Sequence, residues 1–337
     1  MINEDIFEKF YPYDCGVFLF CACNSGNEHF IKFLIKHGAN VNKGNIFKET
    51  PLFYACISGN EKMVKYLIEH GANINQKSCY GEGPLYYAYE NGNVNIVKYL
   101  IEHGADINEK SETGNHLLLK ACDDENEEMV NILVKYGADV NIEDNRNETP
   151  IFNACIRGNE NIVKYLIEHG ADFNKEDDMG NIILFNACEN GNEHLVKYLV
   201  ELGLDINKSN KNNQTPIFYV LRSKNDNLIK WLVEMGADLN KRNHKDEIPI
   251  FIACNCDNEF LVKYFIKNGA GINYKNNYGE TPLFNACEYG NLSIVKYLIK
   301  LGTDINQKNI KHETPLFMAC RYGNETIVKY LIEHGAV

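Results

Sequence analysis

Residues 147–174 read NETPIFNACIRGNENIVKYLIEHGADFN, and residues 279–306 read GETPLFNACEYGNLSIVKYLIKLGTDIN. The two stretches share their apolar letters and differ mainly between them. The first question is which positions the chain keeps and which it leaves free. The glycine behind the second apolar run recurs at 38, 71, 104, 137, 170, 203, 236, 269, 302 and 335, a spacing of 33 with no insertion. Self-similarity at a fixed period outranks any domain count taken from length. The whole chain, 1–337, is therefore expected to be one array: a capping unit over 1–42, internal units over 43–306, and a shortened unit over 307–337.

The second unit is a convenient specimen. Thr50-Pro51 predicts a helix start, the threonine as cap and the proline pre-set for the first helical position. At about 100° per residue, Leu52, Phe53, Ala55 and Cys56 fall on one side and Tyr54, Ile57 and Ser58 on the other. Gly59 lets the chain turn, and Asn60 caps a second helix. An asparagine holds that place in all ten units, at 27, 60, 93, 126, 159, 192, 225, 258, 291 and 324. Met63, Val64, Leu67 and Ile68 form the apolar stripe of this second helix, and Gly71 closes it. In the connection that follows, Ser78 and Gly81 suit a turn with a left-handed residue. Two short helices bury too little surface to stand alone, so each stripe must be covered by its neighbours. The fold class is all-α, a solenoid of paired antiparallel helices with projecting hairpin loops.

The motifs TPLFNACEYGN (281–291) and IVKYLIEHGADFN (162–174), on this period, resemble the ankyrin repeat, and the resemblance covers the chain from about residue 14. Phenylalanine (Phe20, Phe53, Phe152, Phe185, Phe218, Phe251, Phe284, Phe317) stands where that family usually has histidine, so aromatic packing replaces the histidine's hydrogen bonds. Units beginning at 116 (HLLLKACDDEN), 182 (IILFNACENGN) and 215 (TPIFYVLRSKN) lose the proline, the inter-helix glycine or the Ala-Cys pair, and are expected to be soft points.

Composition sets further bounds. The N-terminus carries acids where a signal peptide needs bases, and no apolar run reaches membrane-spanning length, so the expected compartment is the cytoplasm. Eight cysteines (Cys23, Cys56, Cys122, Cys155, Cys188, Cys254, Cys287, Cys320) share one repeat position. Packed helices lie about 8–10 Å apart, too far for disulfides between equivalent positions or for a shared metal, so these are read as buried thiols. Net charge is −12, with the excess of acid before residue 205. No phosphate-binding glycine loop, metalloprotease helix or nucleophile elbow occurs, which points to a chain that is not an enzyme and has no cofactor, metal or small-molecule substrate. Histidines 37, 70, 103, 169 and 334 sit where a helix C-terminus favours a cation. Lysines 32, 65, 98, 164, 197, 230, 263, 296 and 329 read as a solvated helix face. The acidic balance argues against nucleic acid, despite basic loop tips at Lys208, Lys211, Lys241, Arg242, Lys245, Lys275, Lys308 and Lys311.

What varies lies on the free side of the first helix and at the loop tips. In the ankyrin family those surfaces grip partner proteins, and the resemblance carries that role onto Tyr54, Ile57, Tyr87, Glu90, Lys120, Asp123, Asp124, Ile156, Arg157, Glu189, Tyr219, Arg222, Ile252, Tyr289, Met318, Arg321 and Tyr322. Phe47, Tyr80, Arg146 and Met179 join them from the loops. The aromatic and isoleucine members are expected to be exposed anchors, and the acids of the middle units to recruit a basic segment. A partner protein without a membrane is thus implied. The rival readings are a targeting array in a larger assembly, such as a ubiquitin-ligase adaptor, and a nucleic-acid binder. The last unit keeps an unmodified apolar stripe, which fits either a longer array or self-association through that face.

Overall fold

The computed structural model describes residues 15–256 and 258–337, with side chains from residue 18. Residues 1–14, on which part of the 1–42 capping unit rests, lie outside the described residues. Among the described residues there are twenty helices and no strand, with one isolated β-bridge between Lys110 and His116.

Contacts gather the helices into two compact units. In the first, repeats 1–4 are the pairs Cys15–Ser25 and Glu28–Lys36, Pro51–Ile57 and Glu61–Glu69, Pro84–Glu90 and Val94–Glu102, and Leu117–Asp123 and Glu127–Lys135. In the second, repeats 6–10 are Ile183–Asn190 and Glu193–Glu201, Pro216–Ser223 and Asp226–Glu234, Pro249–Asn255 and Glu259–Lys267, Pro282–Glu288 and Leu292–Lys300, and Pro315–Arg321 and Glu325–Glu333. The boundary runs through repeat 5, Pro150–Arg157 and Glu160–Glu168. Within each unit, first helices pack on first helices and second on second, giving two layers.

The core follows the predicted stripe. Phe53, Phe152, Phe185, Phe251 and Phe284 are buried, as are Cys23, Cys56, Cys122, Cys155, Cys188, Cys254 and Cys287. No disulfide joins the cysteines whose side chains are described, and burial pushes the Cys23 thiol up to about 12. Repeat 10 departs from the rest. Phe317 and Cys320 lie exposed on a face that no further helix pair covers, while Met318, expected on the free side, is buried.

Two capping expectations need correction. Thr50, Thr215 and Thr281 precede their helices but make no side-chain capping bond. The N–H of Phe53 is taken by the Thr50 carbonyl at 3.0 Å instead, and Ile182 and Ile248 serve Phe185 and Phe251 in the same way. The backbone supplies the cap at these positions, whereas the Thr314 hydroxyl does accept the Phe317 N–H, at 3.3 Å. Asparagine does cap second helices at 27, 60, 93, 126, 192, 225 and 258. Asn291 and Asn324 instead donate 2.7 Å bonds to the carbonyls of Cys254 and Cys287, satisfying acceptors left open at the end of the first helix of the preceding repeat.

The loss of the inter-helix glycine in repeats 4 and 7 leaves Glu125 at φ 55° and Lys224 at φ 57°, a left-handed backbone that side chains resist. Their helix pairs nonetheless form as in the other repeats.

Candidate functional site

Each hairpin loop is built by one short polar side chain. Asn45 Oδ1 accepts the N–H groups of Phe47 at 2.8 Å and Glu49 at 3.0 Å. Asp177 does the same for Met179 and Asn181, and Asn309 for Lys311 and Glu313. The residue after the tip takes positive φ in repeat after repeat, as glycine at 81 and 279 and as asparagine or aspartate at 213 and 246. Ser78 and Gly81 thus do what their spacing predicts.

Successive tips are then tied by backbone bonds. In the first unit Cys79 N–H donates to the Phe47 carbonyl at 2.8 Å and Glu112 N–H to Tyr80 at 2.9 Å. In the second, Lys211 donates to Met179, His244 to Asn212, Asn277 to Lys245 and Ile310 to Tyr278, all at 2.8–2.9 Å. A tip side chain therefore rides on a fixed strip. Several are large, apolar and exposed: Ile46, Phe47, Tyr80, Met179, Tyr278 and Ile310. Arg146 is a charged tip residue, its guanidinium 3.2 Å from Glu148.

The first-helix residues divide. Ile57, Ile156, Tyr289 and Tyr322 are exposed apolar side chains at or just past helix ends, and Arg157 and Arg321 are exposed beside them. Tyr54, Tyr87, Tyr219 and Ile252, expected to be exposed, are half-buried. The tyrosines lean on the core phenylalanine of the preceding repeat, with ring centroids at 5.6 Å for Phe20 and Tyr54, 5.2 Å for Phe53 and Tyr87, and 5.0 Å for Phe185 and Tyr219. A helix wheel alone gives no view of the neighbouring repeat, so it overstated their freedom.

The acidic centre is also less open than its composition implies. Lys120 Nζ lies 2.8 Å from Asp124 and 3.5 Å from Glu90, and the buried Tyr89 donates its hydroxyl to Asp124 at 2.7 Å. Burial, and then the Asp124 bond and charge, push that hydroxyl well above the usual tyrosine range. Asp123 is half-buried. Glu189 meets Arg222 at 3.1 Å. Basic loop tips are matched in the same way, Lys208 with Glu176 at 2.7 Å and Lys211 with the Asp178 carbonyl at 2.7 Å.

Sequence reasoning missed the role of the lysine column. Lys32 lies over the ring of Tyr66, Lys65 over Tyr99, Lys197 over Trp231, Lys263 over Tyr297 and Lys296 over Tyr330, at 5.2–5.6 Å from the centroids. The 34-residue offset between partners was the available signal. The histidine column closes the same helices: His70 Nδ1 donates to the Tyr66 carbonyl at 2.8 Å while its ring packs on that tyrosine. Among the described residues no group of three His, Cys, Asp or Glu is placed to hold a metal, and no helix is long and apolar enough to cross a membrane.

The profile described as ankyrin repeats (3 copies) matches residues 18–111, 108–177, 174–243 and 240–309, and the profile described as ankyrin repeat matches 311–337. No curated protein matches the chain. With the period, the paired helices and the tied hairpins in register with these matches, the chain belongs to the ankyrin-repeat family.

Proposed function

We propose that this chain is a non-catalytic scaffold that grips a partner protein through its first-helix face and loop tips. Ankyrin repeats are in general protein–protein interaction modules. The observation that carries the reading is the tied strip of tips within each unit. Exposed Phe47, Tyr80 and Met179 are held by backbone bonds of 2.8–2.9 Å, so little ordering remains to be lost when a partner arrives. The acids beside the first helices, Asp123 and Glu90 among them, would face a basic segment of that partner.

The test is retention of proteins on the immobilised chain and on a Phe47→Ser, Tyr80→Ser, Met179→Ser variant of equal thermal stability. Anchors of this kind contribute about 2 kcal/mol each when buried at an interface centre, so a bound protein should be lost. Identical retention on both would sink the reading.

A further inference from the structure

Glu49 and Glu82 hold one position of successive repeats, at the end of the hairpin and just before the first helix. Elsewhere in this column the carboxylate has company. Glu148 has Arg146 at 3.2 Å, Glu313 has Arg321 at 3.6 Å, and Glu280 accepts from the Asn276 and Asn309 amides. Glu49 accepts from Asn45 at 2.8 Å and from the Tyr54 hydroxyl at 3.1 Å. Glu82 is half-buried and among the described residues pairs with no cation; the donor turned toward it is the hydroxyl of Tyr87. Lys120, the cation on the next first helix, is engaged by Glu90 and Asp124.

Tyr86 shares a cleft with Glu82, and Tyr87 turns its hydroxyl toward it. Tyr86 and Tyr87 stand at 81° with centroids 5.8 Å apart, forming a corner. Burial and then the charge of Glu82 push the Tyr87 hydroxyl up to about 12, and burial also raises Glu82; the charged neighbours acting on the two, Glu90 on Glu82 and Glu82 and Glu49 on Tyr87, are all acidic. A half-buried carboxylate in an aromatic corner suits a guanidinium better than an ammonium. The guanidinium is planar, weakly hydrated, stacks on rings and offers a fork of donors to a carboxylate.

We propose that Glu82, with Tyr86 and Tyr87 beside it, receives an arginine side chain from an extended segment of the partner protein. The inference rests on the scaffold reading above. The experiment is selection of a display library of random linear peptides on the full chain, followed by binding of one selected peptide and its arginine-to-citrulline analogue. Arginine should be enriched at one fixed place. Citrulline, neutral but of the same shape, should weaken binding roughly tenfold or more, and Glu82→Gln should weaken the arginine peptide as much while leaving the citrulline peptide unchanged. The citrulline comparison needs no variant, so it holds even if Glu82→Gln disturbs folding. Selected peptides with no dependence on arginine, or with arginine indifferent to Glu82→Gln in a folded variant, overturn the assignment and leave the scaffold reading standing. Failure to select any peptide above an empty support counts against both.

Discussion

Asn240→Ala should destabilise the second unit by about 2 kcal/mol, whereas Asn273→Ala, one period later at the same repeat position, should cost less than about 0.5 kcal/mol. The half-buried Asn240 amide donates to the Gly269 carbonyl at 2.9 Å and accepts the Gly271 N–H at 3.0 Å, clamping the end of the next second helix. Asn273 is exposed and makes no such bond. A net intramolecular hydrogen bond contributes about 0.5–1.5 kcal/mol, so two give about 1–3 kcal/mol, and partial solvent access to the orphaned groups favours the middle of that range. The pair is informative because both substitutions remove the same side chain from the same kind of loop, so propensity and unfolded-state terms cancel. Urea unfolding followed by circular dichroism gives the difference, and hydrogen exchange at Gly271 should report the loss locally. Equal losses at the two positions would refute the clamp as the source of the energy.

Four further outcomes are expected. Glu125→Gly and Lys224→Gly, which relieve left-handed backbone at φ 55° and 57°, should each raise the urea midpoint by the equivalent of about 1 kcal/mol; a lower midpoint would contradict the strain. Thiol labelling should be immediate at Cys21, Cys79 and Cys320 and should await unfolding at the seven buried column cysteines. A thiol raised on folding favours the native state only below its unfolded pKa, so stability should fall as pH climbs from about 9 toward the Cys23 value of about 12; an unfolding midpoint flat across that window would contradict this. Gly83→Thr, which restores the usual residue of its column, should destabilise by about 1–3 kcal/mol because a Cβ there meets the Glu109 carboxylate, and Glu109→Ala in the same chain should remove most of that loss.

The period and the wheel made the fold legible because both depend on letters that must repeat. Leu52, Phe53, Ala55 and Cys56 are buried where the wheel put them. Contacts between repeats were less legible. The tilt of Tyr54 onto Phe20, the reach of Lys32 to Tyr66 and the tie from Cys79 to Phe47 each join residues about one period apart, and a reading confined to a single unit treats such residues as free. The surface was misjudged for the same reason. Asp124 looks like an open charge until the Lys120 and Tyr89 contacts are seen, while Glu82 drew no notice because its column is acidic in several repeats. Only side-chain geometry separates a matched carboxylate from an unmatched one.

The energies that hold the array and the residues that would meet a partner are thus largely different sets. Burial of the phenylalanine and cysteine columns, asparagine caps and clamps, and stacked lysine and tyrosine side chains repeat with little change, each repeat contributing its own interfaces as a one-dimensional stack requires. Exposed Phe47 and Tyr80 can change without disturbing the backbone bonds that carry them, since those bonds use no side chain. Repeat 3 departs from that separation: Gly83 replaces the usual threonine, Tyr89 the usual cysteine, and the pair Tyr86 and Tyr87 stands beside Glu82. Three framework positions, Gly83, Tyr86 and Tyr89, are thus altered within one helix and its cap. A local break in an otherwise consistent pattern marks a functional or a strained place, and here the break adjoins Glu82, the carboxylate proposed above to receive an arginine.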